Sequence, residues 1–235
     1  MITISLCMIV KNESAVLARC LDSIADLMDE IIIVDTGSTD NTKEIAAQYT
    51  SRIYDFKWTS DFSAARNFSF SKATMEYIYT ADADEILDDA NRERFLRLKD
   101  ALLPEIEIVQ MKYVTQGTFD TVLNAKKEYR PKLFRRLRTF TWIDPIHETV
   151  RLTPVTFDSD VEILHCPQSL HSKRDFSIFI KAFEHDGQFS PKIRTMYAKE
   201  LLKTGDKKDF TDAKPIFQLI FDNDPADDAR KEAAC

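Results

Sequence analysis

Glu30-Ile31-Ile32-Ile33-Val34-Asp35-Thr36-Gly37-Ser38-Thr39-Asp40 is the stretch on which the fold turns. A continuous β-branched run suits a strand buried on both faces, and such strands belong to parallel sheets. The run ends abruptly in a carboxylate and small polar residues, so the chain leaves the sheet at a polar rim. Working outward, residues 3–10 read as a second buried strand. Residues 14–24 read as an amphipathic helix with Val16, Leu17, Cys20, Leu21 and Ile24 on one face. Downstream, Asn41-Thr-Lys-Glu44 has the form of a capping box that opens a helix to about Tyr49. A strand at 52–56, a helix at 63–71 and a strand at 77–81 complete a βαβαβαβ order. That order implies a doubly wound α/β sheet covered by helices.

Beyond this point the pattern changes. Residues 92–103 read as a helix and 105–114 as a strand. Segments 129–137, 149–155 and 160–165 read as strands of a mixed or antiparallel extension. From Ser172 onward the chain reads as helical, with amphipathic helices at 193–203 and 210–221 joined by Thr204-Gly205-Asp206. This pair has the form of a tetratricopeptide-like helix-turn-helix, present about once. The reading therefore divides the chain into a catalytic domain over 1–190 and a short helical tail over 191–235.

Composition narrows the function. The chain has 235 residues, is 44% hydrophobic and carries a net charge of −7. An acidic balance argues against a nucleic-acid partner, which calls for a basic face. The early apolar run 2–10 is too short to span a membrane and lacks a preceding basic segment, so neither an anchor nor a leader is read there. The four cysteines show no Cys-x-x-Cys spacing. A reduced, cytoplasmic setting is the expectation. Only four glycines are present, at 37, 117, 187 and 205. No Gly-x-Gly-x-x-Gly and no P-loop can be written from them, so a nucleotide diphosphate must be held by other means. A metal ion is the obvious substitute.

Ligands of open α/β sheets sit beyond the carboxyl ends of the strands. Lys11-Asn12-Glu13 follows the first strand, Asp35 to Asp40 the second, Asp61-Phe-Ser-Ala-Ala-Arg66-Asn67 the third, and Asp82-Ala83-Asp84-Glu85 the fourth. Four polar, mostly acidic termini thus share one rim. Two carboxylates at i and i+2, directly after a buried strand, can share a hard cation whose remaining ligands are phosphate and water. Asp-x-Asp on its own is a weak signal, because solvated loops carry such pairs too. Other residues stay open at this level. Asn12 and Asn67 read as helix caps or ligand contacts, and Trp142 as core or sugar platform. The basic run 126–138 reads as a solvated face or as a contact for a diphosphate or an anionic acceptor.

Taken in order, Ile9-Val10-Lys11-Asn12-Glu13, Val34-Asp35-Thr-Gly-Ser-Thr-Asp40-Asn-Thr42, Asp61 to Asn67 and Asp82 to Glu85 resemble the motifs of family-two glycosyltransferases. Tyr129-Arg-Pro-Lys-Leu-Phe-Arg135, Trp142 and Ile146-His147-Glu148 resemble a subgroup of them. That subgroup holds lipopolysaccharide-core glucosyltransferases and glycocin peptide glycosyltransferases, in which helical repeats follow the catalytic domain.

The resemblance implies a GT-A, Rossmann-like mixed sheet and an inverting, metal-dependent transfer from a UDP-sugar, glucose or N-acetylglucosamine, to a glycan or peptide. It implies Val10, Asn12, Glu13, Asp35, Asp61, Arg66, Asp82 and Ala83 as the nucleotide-sugar pocket. It implies Asp82, Asp84 and His165 for Mn²⁺ or Mg²⁺, and Glu148 as general base with His147 beside it. Asp144 competes with Glu148, although Asp-Pro more often marks a turn. The sequence departs from the family at Lys132, where arginine is common, and at Cys166-Pro167 after His165. The helical tail is expected to pack on the catalytic domain or on a second subunit, as a homodimer would. Two other classes fit less well. A sugar nucleotidyltransferase needs a glycine-rich loop after the first strand. A non-catalytic binding module has no need of acids at four strand ends.

Overall fold

The computed structural model describes residues 1–115, 127–136, 142–143, 145–146, 149–150, 155–166 and 172–223. Among these residues, ten strands and seven α-helices follow in chain order. They are β1 Ile4–Val10, α1 Leu17–Ile24, β2 Glu30–Asp35, α2 Thr42–Ala46, β3 Ile53–Asp55, α3 Phe62–Phe70, β4 Tyr77–Thr80, β5 Glu85–Ile86 and α4 Asp89–Ala101. Then come β6 Ile108–Thr115, β7 Lys127–Arg135, β8 Trp142–Ile143, β9 Thr149–Val150, β10 Thr156–His165, α5 Ser172–Asp186, α6 Pro191–Thr204 and α7 Lys207–Asn223. The chain divides into two compact units. One comprises Met1–Trp58, Ala65–Trp142 and Val150–Gln168; the other comprises Thr59–Ala64, Ile143–Thr149 and Ser169–Cys235.

The first unit is built on an eight-stranded sheet of order β3-β2-β1-β4-β7-β6-β10-β5. β3, β2, β1 and β4 run parallel, as the sequence order implied. β7 is antiparallel to both β4 and β6, so the extension is mixed. Side-chain alternation splits the interior into two layers, because successive residues of a strand face opposite ways. Leu6, Met8, Ile33, Tyr79, Met111, Leu133 and Ile163 face one core together with Leu17 and Leu21 of α1 and Phe95 of α4. Cys7, Ile32, Val34, Ile78 and Phe134 face the other, with Phe70 of α3 and Trp142. Trp142 is therefore a core residue rather than a sugar platform. Its ring meets Phe70 and Phe134 edge-on at 5.8 and 5.3 Å.

Three local readings are corrected. Helix α1 begins at Leu17, later than residue 14, because Asn12 is left-handed (φ 55). The Glu13 carbonyl then takes the N–H groups of Val16 and Leu17 in a turn. The capping box at Asn41 does not form, for Asn41 makes no side-chain cap bond. Asp40 caps instead, its carboxylate accepting from the Thr42 N–H at 3.1 Å and from the Ser14 N–H at 3.2 Å. Burial works to raise the Asp40 pKa, but these bonds and the Thr42 hydroxyl outweigh it and hold the carboxyl at about 2. Strand β5 was unforeseen. It is two residues long and pairs antiparallel with β10, joining Glu85 to His165 and Ile86 to Leu164.

Proline 131 explains a further irregularity. A proline cannot donate to a ladder, so inside a sheet it is confined to edges and bulges. β7 is a central strand, and its pairing with β6 slips between Val109–Leu133 and Gln110–Pro131. Lys132 is the extra residue of this bulge, a device that re-aims a side chain.

Within the second unit, α5, α6 and α7 gather around Tyr197, which is fully buried. Its ring stacks on Phe179 at 4.6 Å and lies 5.4 Å from Phe217. Ser190 caps α6 by accepting the Ile193 N–H, with Pro191 at the first helical position. Among the described residues no helix is long and apolar enough to cross a membrane.

Candidate active site

The carboxyl ends of β1, β2 and β4 carry the predicted residues. At the end of β1 the buried Val10 carbonyl accepts the Thr36 N–H at 2.9 Å. Asn12 ties the next two loops together, its Oδ1 accepting the Thr39 N–H at 2.7 Å while its own N–H donates to Ser38. The Glu13 N–H donates to the Thr42 hydroxyl at 2.8 Å. These bonds show how the rim is built.

Asp35 ends β2 and is 2% exposed. Its Oδ1 accepts the N–H groups of Gly37 and Ser38, each at 2.9 Å. Gly37 sits at φ +103, a conformation that side chains rarely adopt, and so lets the loop fold back onto the carboxylate. Among the described residues, Asp35 Oδ2 is buried and has no hydrogen-bond partner. An unmatched buried carboxylate oxygen is costly, on the order of 1–3 kcal/mol or more, and invites a donor from a ligand.

Asp61 precedes α3, and its Oδ1 accepts from the Ser63 hydroxyl at 2.6 Å and the Ala64 N–H at 3.1 Å. The carboxylate thus acts as a helix cap. Arg66, farther along α3, is nearly buried and donates to the Thr80 hydroxyl. Its guanidinium lies 4.8 Å from the centre of the Trp142 ring and 3.9 Å from Asp82. Asn67 clamps the Trp142 backbone, accepting its N–H at 2.9 Å and donating to its carbonyl at 3.1 Å.

β4 delivers the acidic pair. The Asp82 side chain is 54% exposed and lies 3.9 Å from Arg66. Desolvation works to raise its pKa, but the Lys132, Arg66 and Arg130 cations outweigh that and lower it. Ala83 is buried, and a turn closed by the Glu85 N–H on the Asp82 carbonyl at 3.1 Å links the two carboxylates. Asp84 faces His165 at the end of β10, with 3.0 Å between Oδ2 and Nε2. The approach is set by β5, since the Cys166 N–H donates to the Asp84 carbonyl at 2.9 Å.

Asp82, Asp84 and His165 were expected to form one metal site. Among the described residues no group of three or more His, Cys, Asp or Glu side chains is assembled. The pair formed is Asp84 with His165, while Asp82 leans on Arg66. A carboxylate and an imidazole facing each other at partly open positions suit a cation that completes its shell with substrate phosphate and water. The donor set therefore fits Mn²⁺ or Mg²⁺ in that mode and not as an all-protein cage. His147, Glu148 and Asp144 lie outside the described residues.

Glu85 was legible only as part of the acidic run. It is buried and pairs with the bulged Lys132 at 2.7 Å, the two side chains being 3% and 6% exposed. Its second oxygen has no partner among the described residues. Burial first, and then the neighbouring Asp82 charge, push its pKa up against the pull of Lys132. The ion pair joins the start of β5 to β7, next in the chain to Asp84.

Comparison with known proteins agrees with this fold. Residues 5–153 match the family model described as Glycosyl transferase family 2. A TPR repeat-containing protein of Synechococcus elongatus is 47% identical over 87 residues, 37% of this chain and 22% of that protein. The glycosyltransferase SunS of Bacillus subtilis is 33% identical over 132 residues, 54% of this chain and 31% of that protein. The chain thus spans less than a third of the length of either relative. Among solved structures, glucosyl-3-phosphoglycerate synthase of Mycobacterium tuberculosis superposes with a TM-score of 0.58 at 18% identity, covering 81% of this chain and 82% of that one. At that identity the likeness shows the shared fold.

Proposed function

The chain belongs to glycosyl transferase family 2, and from that premise we propose that it moves a sugar from a UDP-sugar to a glycan or peptide acceptor with inversion at the anomeric carbon. Glucose and N-acetylglucosamine are the sugars proposed. The observation that carries the reading is the meeting of Asp84 with His165 at 3.0 Å, on the rim where Asp35 keeps an unpartnered buried oxygen. The synthase of similar fold was crystallised with Mn²⁺, UDP-glucose and phosphoglyceric acid, which supports the choice of donor and cation.

On this reading Asp84 and His165 hold Mn²⁺ or Mg²⁺ with Asp82 alongside. The cation, when bound, supplies Lewis-acid stabilisation of the departing diphosphate. Asp35 Oδ2 accepts the imide N–H of uracil, the one donor on that edge of the base. Val10, Asn12, Glu13, Asp61 and Ala83 shape the rest of the nucleotide-sugar pocket, and Arg66 fixes Asp82 toward the ribose. Glu148, flanked by His147, takes the proton of the acceptor. The acceptor's lone pair attacks the anomeric carbon from the face opposite the diphosphate. The bond to the phosphate oxygen breaks, and its electron pair leaves with UDP. On the same reading residues 1–190 serve as the catalytic domain and 191–235 as a tetratricopeptide-like tail.

The base contact is tested by calorimetry in Mn²⁺. A hydrogen bond to a charged group contributes about 1.5–3 kcal/mol, so Asp35→Ala should weaken UDP at least ~10-fold while circular dichroism stays unchanged. In Asp35→Asn one oxygen can still receive Gly37 and Ser38, but an amide donor replaces Oδ2. UDP should again weaken, and CDP, whose ring nitrogen is an acceptor, should gain relative to it. Equal UDP affinity in the parent and both variants would contradict the assignment.

A further inference from the structure

Four side chains line up across the strand ends of the first unit. Glu128 of β7 stands opposite Tyr113 of β6 in the antiparallel ladder, and Arg130 is the diagonal neighbour of Tyr113. Tyr113 stands opposite Ile163 of β10, with His165 as its diagonal neighbour. Diagonal pairs lie within reach when one member is aromatic or long. The Arg130 guanidinium carbon sits 3.7 Å from the centre of the Tyr113 ring. That ring lies 4.9 Å from the His165 imidazole. His165 in turn meets Asp84 at 3.0 Å. Tyr113 is 4% exposed and so forms a rigid platform.

The cations near this row differ in their obligations. Lys132 is buried against Glu85 at 2.7 Å. Arg66 is tied to Thr80 and leans on Asp82. Arg130 is 46% exposed, and its partner is Glu128, itself 50% exposed. Nε donates to Glu128 Oε1 at 2.6 Å, and Nη2 approaches the same oxygen. Two donors therefore converge on one acceptor atom, which leaves the guanidinium fork unmatched to a second oxygen. An exposed pair of this kind contributes little, roughly 0–1 kcal/mol, and exchanges readily. Arginine stacked on an aromatic face is also prepared for planar, bidentate recognition of phosphate.

We propose that Arg130 is a diphosphate-binding residue, held on the Tyr113 ring and occupied in the free protein by Glu128, which the phosphates of the donor displace. The inference rests on the UDP-sugar reading above. It makes Glu128 an internal competitor: the carboxylate keeps the guanidinium extended across Tyr113 until a stronger, doubly charged anion arrives. It also gives a physical meaning to the alternation Glu128-x-Arg130-x-Lys132, which sets all three on one face of β7 up to the bulge.

The experiment is calorimetry of UDP and of uridine in Mn²⁺ for the parent, Arg130→Ala, Arg130→Lys and Glu128→Gln. Arg130→Ala should weaken UDP by ~10-fold, as expected for loss of charge-assisted bonds, and leave uridine unchanged. Arg130→Lys should recover only part of the loss, because the fork and the stacking are gone. Glu128→Gln should bind UDP more tightly, by about 2–5-fold, with the gain fading at high salt. UDP affinity equal in parent and Arg130→Ala overturns the inference while leaving the donor reading intact. So does a loss that appears only in transfer to an anionic acceptor, which would place Arg130 on the other substrate. A parent that binds no UDP overturns both.

Discussion

Asp84→Asn should keep the fold and lower sugar transfer by about 10³-fold, because metal-assisted charge stabilisation is worth several kcal/mol. The substitution preserves shape, so the β5–β10 pairing and the Cys166 to Asp84 backbone bond remain available. What it removes is the charge that faces His165 at 3.0 Å. A neutral amide is a poor ligand for a hard cation. Titration with Mn²⁺ separates the consequences: the variant should need far more metal for any turnover, while its melting temperature should stay near that of the parent. Turnover within ten-fold of the parent at ordinary Mn²⁺ would remove Asp84 from the metal site.

Glu148→Gln should have an effect of comparable size for a different reason. Asp82 and Asp84 are engaged with Arg66 and His165, so the proton acceptor must come from elsewhere. Trp142-Ile-Asp-Pro-Ile-His-Glu148 supplies a carboxylate and an imidazole close together in the chain. General-base catalysis contributes about 10²–10⁴-fold. Transfer to a hydroxyl acceptor at neutral pH should fall by that factor, while UDP affinity stays unchanged. With a thiol acceptor the loss should shrink as pH rises, since the thiolate then forms unaided. Near-normal transfer to a hydroxyl would point to Asp144 or His147 instead.

How much of this was legible in the sequence depends on distance along the chain. β2 and β4 announce themselves, because a strand buried on both faces must be apolar throughout and its polar terminus stands out. The rim residues Asp35, Asp82 and Asp84 are adjacent to those strands and were found with them. His165 lies 81 residues from its partner Asp84, and no local period links the two, so only a family resemblance could join them. β5 is two residues long and owes its existence to β10, which no propensity could reveal. The shift of the helix cap from Asn41 to Asp40 follows from the Ser14 N–H approaching across space, again a tertiary effect. Lys132 reads in the sequence as a departure from arginine that loses the bidentate fork. Pro131 was the available signal that it sits in a bulge, since proline in a central strand demands one. Tyr113, the platform between Arg130 and His165, read only as one apolar position of a strand.

Release of UDP from a UDP-sugar with the help of a divalent cation is the activity proposed for this chain. It is tested most directly by following UDP release from UDP-glucose and UDP-N-acetylglucosamine, with Mn²⁺ and with EDTA, across a panel of glycan and peptide acceptors. Release is expected with at least one donor in Mn²⁺, stimulated by an acceptor and abolished by EDTA. No release from either donor under any acceptor, or full release in EDTA, would contradict it.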